Sequence, residues 1–283
     1  MKRIGFVDHD LDNFHSNTYL RLIRADLKPR AFEVSCCTGL KRASGRRWAK
    51  KNGIPWCDSP EQMTDHADVF AIMAPSNAET HLELCRAVFP LGKPTFVDKT
   101  FAPSFAEAKA IYRLARKHRV QIESSSALRY TEVQNRAREL GAPGKLRHMV
   151  TFSPGGSFEE YAVHPLEMVV SCMGANAKSV MRRGTGRSAQ LLLEYPGGRT
   201  ATANIHCGTR TPFAAALTTA KETVMVEVDR ATLFLNAASA MLDFLAGKRK
   251  PVPRKETLAI MQIIDAAGRP EALRKPVRLR PVT

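Results

Sequence analysis

Between Ala67 and Arg129, three short apolar runs alternate with two helical patterns. This alternation restricts the possible folds more than any other feature of the chain. The runs are Val69–Met73, Pro94–Val97 and Val120–Ile122. Strands separated by helices of this length form a parallel sheet with helices on its faces. Ligands of such sheets collect at the carboxyl ends of the strands. Two polar clusters fall there, Pro75-Ser76-Asn77 and Asp98-Lys99-Thr100. Lys99, just past a buried run, is the first candidate for chemistry.

The same texture begins at the N-terminus. Arg3–Val7 reads as a strand, Ser16–Ala25 as a helix with Tyr19, Leu20 and Ile23 inward, and Phe32–Cys37 as a second strand. Strand, helix, strand opens a dinucleotide-binding fold, whose first turn normally carries three glycines. Here the turn is Asp8-His9-Asp10-Leu11-Asp12-Asn13, with no glycine. Three carboxylates stand where a diphosphate would lie. They repel it unless a cation intervenes or they point away. The spacing loosely resembles the start of a calcium loop, but that loop's later Gly and Glu are missing, so no metal site is assigned. After the second strand an NAD binder carries an acid for the ribose hydroxyls. This chain has Thr38-Gly39-Leu40-Lys41-Arg42 instead. Lys41 and Arg42 either meet the 2′-phosphate of NADP or stand solvated at a helix start.

Arg42–Asn52 continues as a basic helix before Gly53. Ser59-Pro60-Glu61-Gln62, Ser76-Asn77-Ala78-Glu79 and Ser104-Phe105-Ala106-Glu107 each carry a helix-start pattern with a serine N-cap. From about Lys145 the texture changes. Arg147–Phe152, Ser188–Tyr195, Arg199–Cys207, Phe213–Ala220 and Thr223–Val228 read as strands, and Pro196-Gly197-Gly198 joins two of them as a hairpin. Consecutive strands without helices between them predict a mostly antiparallel sheet. A helix near Tyr161–Cys172 precedes that meander, and helices near Ala237–Leu245 and Lys255–Ala267 follow it. The expected architecture is a doubly wound Rossmann-type domain over residues 1–125 and an α+β substrate and oligomerisation domain over residues 126–283. Gly141–Gly144 supplies the clearest turn near the change of texture.

Composition narrows the function classes. The net charge of +16 suits acidic ligands or a solvated basic surface. The basic residues are scattered and no zinc-finger or RNP pattern accompanies them, so no specific nucleic-acid partner is expected. No apolar run is long enough to span a membrane, and MKRIGFVDHD has no export signal. The six cysteines form no CxxC pair and read as reduced thiols of a cytoplasmic protein.

Four stretches together resemble the glucose–fructose oxidoreductase, inositol dehydrogenase and MocA (Gfo/Idh/MocA) family. PSNAETH (Pro75–His81) is similar to the family's proline–asparagine–histidine segment. FVDKT (Phe96–Thr100) is similar to its glutamate–lysine–proline signature, with Asp98 for Glu and Thr100 for Pro. EYAVHPLE (Glu160–Glu167) is similar to its acid-x-x-x-histidine segment, with Glu160 for Asp. The tail from Phe234 to Ala267 is similar to its final helices. The turn lacking glycine departs from the pattern.

The resemblance implies a hydride-transferring oxidoreductase using NAD or NADP. Cofactor contacts then fall on Asp8, Asp10 and Asn13 of the turn, on Thr38, Lys41 and Arg42, on Ala74, Pro75 and Asn77, and on Asp98 and Lys99. A sugar, polyol or cyclic alcohol would sit between the nicotinamide and the second sheet. His164 is the implied general base, since imidazole titrates near working pH. Lys99 would stabilise the developing alkoxide. Glu160, one helical turn before His164, would orient it or hold a neighbouring hydroxyl. The family also implies a homodimer or homotetramer built on the second sheet. The competing expectation is a non-catalytic, sugar-binding or regulatory relative that has lost standard dinucleotide binding.

Overall fold

The computed structural model describes residues 1–184 and 188–282. The chain divides into two compact units. One comprises Met1–Ser125 with Phe234–Val252, the other Ser126–Leu233 with Pro253–Thr283.

The first unit holds β1 (Lys2–Asp8), α1 (Phe14–Arg24), β2 (Phe32–Gly39), α2 (Arg42–Asn52), β3 (Val69–Ile72), α3 (His81–Val88), β4 (Thr95–Val97), α4 (Phe105–Lys117) and β5 (Ile122–Glu123). Its five strands are all parallel, in the order β2-β1-β3-β4-β5. The side chains of β3 and β4 are buried on both faces, which is why these strands read as unbroken apolar runs. Asn13 caps α1 by accepting from the Ser16 amide at 3.0 Å, and Ser104 caps α4 through the Glu107 amide. The other two serine patterns do not act as expected. Pro60–Met63 is a single 3-10 turn, and the Ser76 pattern yields a 3-10 turn at Ala78–Thr80 before α3.

The second unit holds α5 (Glu132–Glu139), β6 (His148–Gly155), α6 (Phe158–Tyr161), α7 (Val163–Met173), β7 (Ser179–Arg183), β8 (Ser188–Glu194), β9 (Thr200–Cys207), β10 (Ala214–Thr218) and β11 (Thr223–Glu227). After α8 (Leu233–Leu245), nearly all of which lies in the first unit, α9 (Arg254–Ala267) and β12 (Val277–Arg278) complete it. The seven strands run in the order β11-β10-β6-β9-β8-β7-β12, antiparallel except for the parallel pair β6 and β9.

One face of this sheet is buried through Met149, Thr151, Leu191, Leu193, Ala203, Ile205 and Leu217. The opposite face carries one row in register across six strands: Met181, Leu192, Thr202, Val150, Ala216 and Met225. Leu192 is 39% and Met225 67% exposed, so this row remains open in the single chain.

The segment around α8 belongs with the first unit, whereas the sequence pattern groups everything after residue 125 together. Met241, Leu242, Phe244 and Leu245 join the core formed by Ile4, Phe6, Val69, Phe96 and Trp48. Burial of each such side chain contributes about 1.5–3 kcal/mol. Arg249 then anchors the segment on Glu123 of β5, a fully buried carboxylate that also accepts from the Val252 amide at 3.0 Å.

Candidate functional site

In the first unit, the strand ends at the carboxyl edge carry most of the predicted cofactor residues. Asp8 closes β1 with its carboxylate turned inward and 1% exposed. Three donors hold it: the Asp10 amide at 3.2 Å, Asn13 Nδ2 at 2.7 Å and Ser16 Oγ at 2.7 Å. All three are neutral, and burial outweighs them, pushing the Asp8 pKa up to about 7. Asp10 faces Lys41 Nζ at 3.7 Å, and Asp12 accepts from Asn17 Nδ2 at 3.2 Å. Each carboxylate of the turn therefore has a partner within the unit. The turn also packs tightly on the end of β2. The Leu40 and Lys41 amides donate to the Asp8 and His9 carbonyls, and a Cβ on Gly39 would stand 3.1 Å from the Asp8 carbonyl oxygen.

The next strand ends supply the remaining groups. Thr38 is buried. Arg42 turns to the Asp58 carbonyl at 3.0 Å, and Asn77 donates to Glu79 at 2.9 Å. Past β4, Asp98 Oδ1 accepts the Lys99 amide at 2.8 Å, and Lys99 Nζ donates to the Pro75 carbonyl at 3.1 Å. Lys99 is 7% exposed, so its ammonium is held at the sheet edge rather than solvated. The fully buried His81 sits behind this edge with Nε2 3.0 Å from the Ala74 carbonyl and Nδ1 3.1 Å from the Phe101 carbonyl. Burial lowers its pKa, and as a neutral imidazole it donates to one of the two.

His15 went unnoticed in the sequence because the expected helix began at Ser16. It lies in the first turn of α1, with Nδ1 2.5 Å from Asp98 Oδ2, against the rings of Phe14, Tyr19 and Phe234.

This edge fits a dinucleotide. The inward Asp8 and the pairing of Asp10 with Lys41 reduce the repulsion that the bare sequence implies. Asn13 takes up the Ser16 amide, so Phe14 and His15 carry the remaining open amides of the first turn of α1, the groups that receive a phosphate in such folds.

In the second unit, α6 and α7 meet at Ala162, whose backbone is itself helical (φ −60°, ψ −26°). Glu160 and His164 therefore stand one turn apart. His164 packs against Tyr161 and Phe213, and its Nδ1 is 2.7 Å from Ser126 Oγ. Ser126 donates its amide to Glu167 Oε2 at 2.9 Å. Glu167 is paired with Arg129, which also reaches Glu256 Oε2 at 2.8 Å. Neither Ser126 nor Arg129 carries a sequence signal, because their partners lie 38 to 127 positions away.

Together these features describe a Rossmann-type unit with ligand groups along its carboxyl edge, accompanied by an α+β unit with a one-sided sheet. Residues 17–125 match the family described as "Oxidoreductase family, NAD-binding Rossmann fold" (GFO_IDH_MocA). The match starts immediately after the glycine-free turn. The chain is also 23% identical over 131 residues to "Uncharacterized oxidoreductase YhhX" of Escherichia coli K12, a stretch spanning 40% of this chain and only 38% of that relative. A putative myo-inositol dehydrogenase from Sinorhizobium meliloti 1021 has the same fold, with a TM-score of 0.82 at 13% identity over 99% of this chain and all of that one. GenD2 from gentamicin A biosynthesis, solved in complex with NAD, superposes with a TM-score of 0.80 at 14% identity, over 99% and 97% of the two chains. Over residues 17–125 the chain is similar to the Gfo/Idh/MocA oxidoreductase family, and the turn before that stretch lacks the glycines of a standard dinucleotide-binding fold.

Proposed function

We propose that this protein is an NAD(P)-dependent oxidoreductase acting on a sugar, polyol or related cyclic alcohol. The observation that carries the reading is Lys99, a buried lysine at the carboxyl end of β4 within the stretch that matches the family. A bound nicotinamide would supply the hydride acceptor or donor. Residues at the ends of β1, β2 and β3, with the first turn of α1, would hold it: Asp8, Asp10, Asn13, Thr38, Lys41, Arg42, Ala74, Pro75 and Asn77, with Asp98 beside Lys99.

Lys99 addresses the reacting oxygen of the substrate in this reading. The Lys99 ammonium stabilises negative charge developing there, an effect that is strongest where water is excluded. His164 offers its imidazole to the substrate, and Glu160 engages a neighbouring hydroxyl or orients that imidazole. A polyhydroxy substrate suits this mixture of donors and acceptors.

Two partial supports concern the setting. The open apolar row of the second sheet is a face that a second copy would cover, consistent with a homodimer or homotetramer. The six free, buried cysteines suit a reducing cytoplasm, and no helix among the described residues is long and apolar enough to cross a membrane. The alternative, a non-catalytic sugar-binding or regulatory relative, draws on the glycine-free turn and on the missing ribose acid after β2.

The test is turnover with NADH, NADPH and their oxidised forms against a panel of sugars, inositols and their ketones. Lys99→Ala and His164→Ala should each abolish it with the fold intact. Undiminished turnover in both variants would remove the site assignment.

A further inference from the structure

The Ser126 hydroxyl is fully buried and its surroundings are nearly all determined. Its oxygen accepts from the Leu128 amide at 3.2 Å. Its backbone is held by the hydrogen bond that its own amide donates to Glu167 and by the Arg129 amide, which donates to the Ser126 carbonyl at 3.1 Å. Among the described residues, the one acceptor within reach of the hydroxyl proton is His164 Nδ1, 2.7 Å away.

The contact has two possible polarities. If Nδ1–H donated to Oγ, the buried hydroxyl proton would be left without an acceptor, the costly arrangement for such a group. If the hydroxyl donates to Nδ1, both the hydroxyl and Nδ1 are satisfied. We propose that Ser126 donates to Nδ1 and thereby holds neutral His164 as the tautomer that carries its proton on Nε2.

Ser126 is then a positioning residue acting through His164. The neutral imidazole presents a hydrogen-bond donor at Nε2, not the lone pair that a general base needs. Toward a substrate oxygen it acts as a donor that polarises a carbonyl without being an imidazolium, a use of neutral histidine known in other folds. His15 has the opposite wiring. The carboxylate of Asp98 accepts only, so His15 carries its proton on Nδ1. The tautomer itself is independent of the proposed function; its consequence for a substrate rests on that reading.

The test is a long-range proton–nitrogen NMR correlation on full-length protein with labelled histidine, recorded where the imidazoles are neutral. His164 is assigned by His164→Gln and His15 by His15→Gln. The expected spectrum has an unprotonated Nδ1 and a protonated Nε2 at His164, with a protonated Nδ1 at His15. Ser126→Ala should move His164 toward the mixture of tautomers of free imidazole, and Ser126→Thr should restore it. A protonated Nδ1 in wild-type His164, or no change in Ser126→Ala, overturns the proposal. The wild-type spectrum decides the tautomer even if a variant fails to fold. A correct tautomer with no turnover on any substrate would count against the oxidoreductase reading alone.

Discussion

Asp8 and Glu167 are both buried carboxylates in hydrogen-bonded networks, but their partners differ in charge. Asp8 has an amide, a carboxamide and a hydroxyl; Glu167 has the Arg129 guanidinium and the Ser126 amide. Burial raises the pKa of both. At Glu167 the guanidinium opposes that rise. Burial lowers the Arg129 pKa, but Glu167 and Glu256 outweigh it and keep the guanidinium charged. Neutral donors leave a buried charge that can be switched off near neutral pH, whereas a guanidinium fixes it. The first arrangement lies at the carboxyl edge of the parallel sheet, the second beside Ser126, whose hydroxyl contacts His164.

The largest expected effect comes from removing the fixed cation. Arg129→Met leaves Glu167 and Glu256 without their shared partner and should cost about 3–5 kcal/mol in denaturant unfolding. Adding Glu167→Gln should recover part of that loss; no recovery would mean the pair is not coupled. Next, Lys99→Ala should lower turnover by at least ~100-fold with unfolding unchanged.

Asp8 gives a smaller effect that depends on pH. Its folded pKa of about 7 lies above the ordinary value of 3.8, so the native state holds the proton more tightly. The stability this contributes is present below pH 3.8 and is lost as pH rises through about 7, with an upper limit of about 4 kcal/mol. Asp8→Asn should flatten that slope between pH 4 and 8. It should also remove the weakening of NAD(P)H binding at higher pH that an ionised Asp8 would cause. A slope unchanged by the substitution would erase the contrast with Glu167. The smallest effect is at Lys41, exposed and paired with Asp10. Lys41→Ala should weaken NADPH by roughly 1 kcal/mol, about fivefold, and spare NADH.

How far the sequence carries this account varies with the range of the interactions involved. The parallel sheet was legible because its strands are buried on both faces and its helices are periodic. The strand and helix around Lys99 followed directly. Helix α5 was missed because its eight residues are mostly polar; its Thr131 and Gln134 capping box, confirmed by the 3.1 Å bond from the Thr131 amide to Gln134 Oε1, was the available signal. Strands β7 and β12 are short and lie at one edge of the sheet, where the pattern is weakest. The return of α8 to the first core is a long-range packing choice that local periodicity does not encode. Lys99, Glu160 and His164, the proposed site residues, were legible as candidates from their motifs. His15, Ser126 and Arg129 were not, because each takes its meaning from a partner distant in sequence. The turn could be read as acidic, but the inward rotation of Asp8 depends on Ser16 and Asn13 being placed by the helix start.

The most direct test of the central claim is calorimetric titration of the full-length protein with NADH and NADPH at low and moderate salt. Micromolar binding that survives moderate salt is the predicted result, and it would mean that a turn without glycine still accepts a diphosphate. Absence of binding to both dinucleotides at either salt concentration would contradict the oxidoreductase reading.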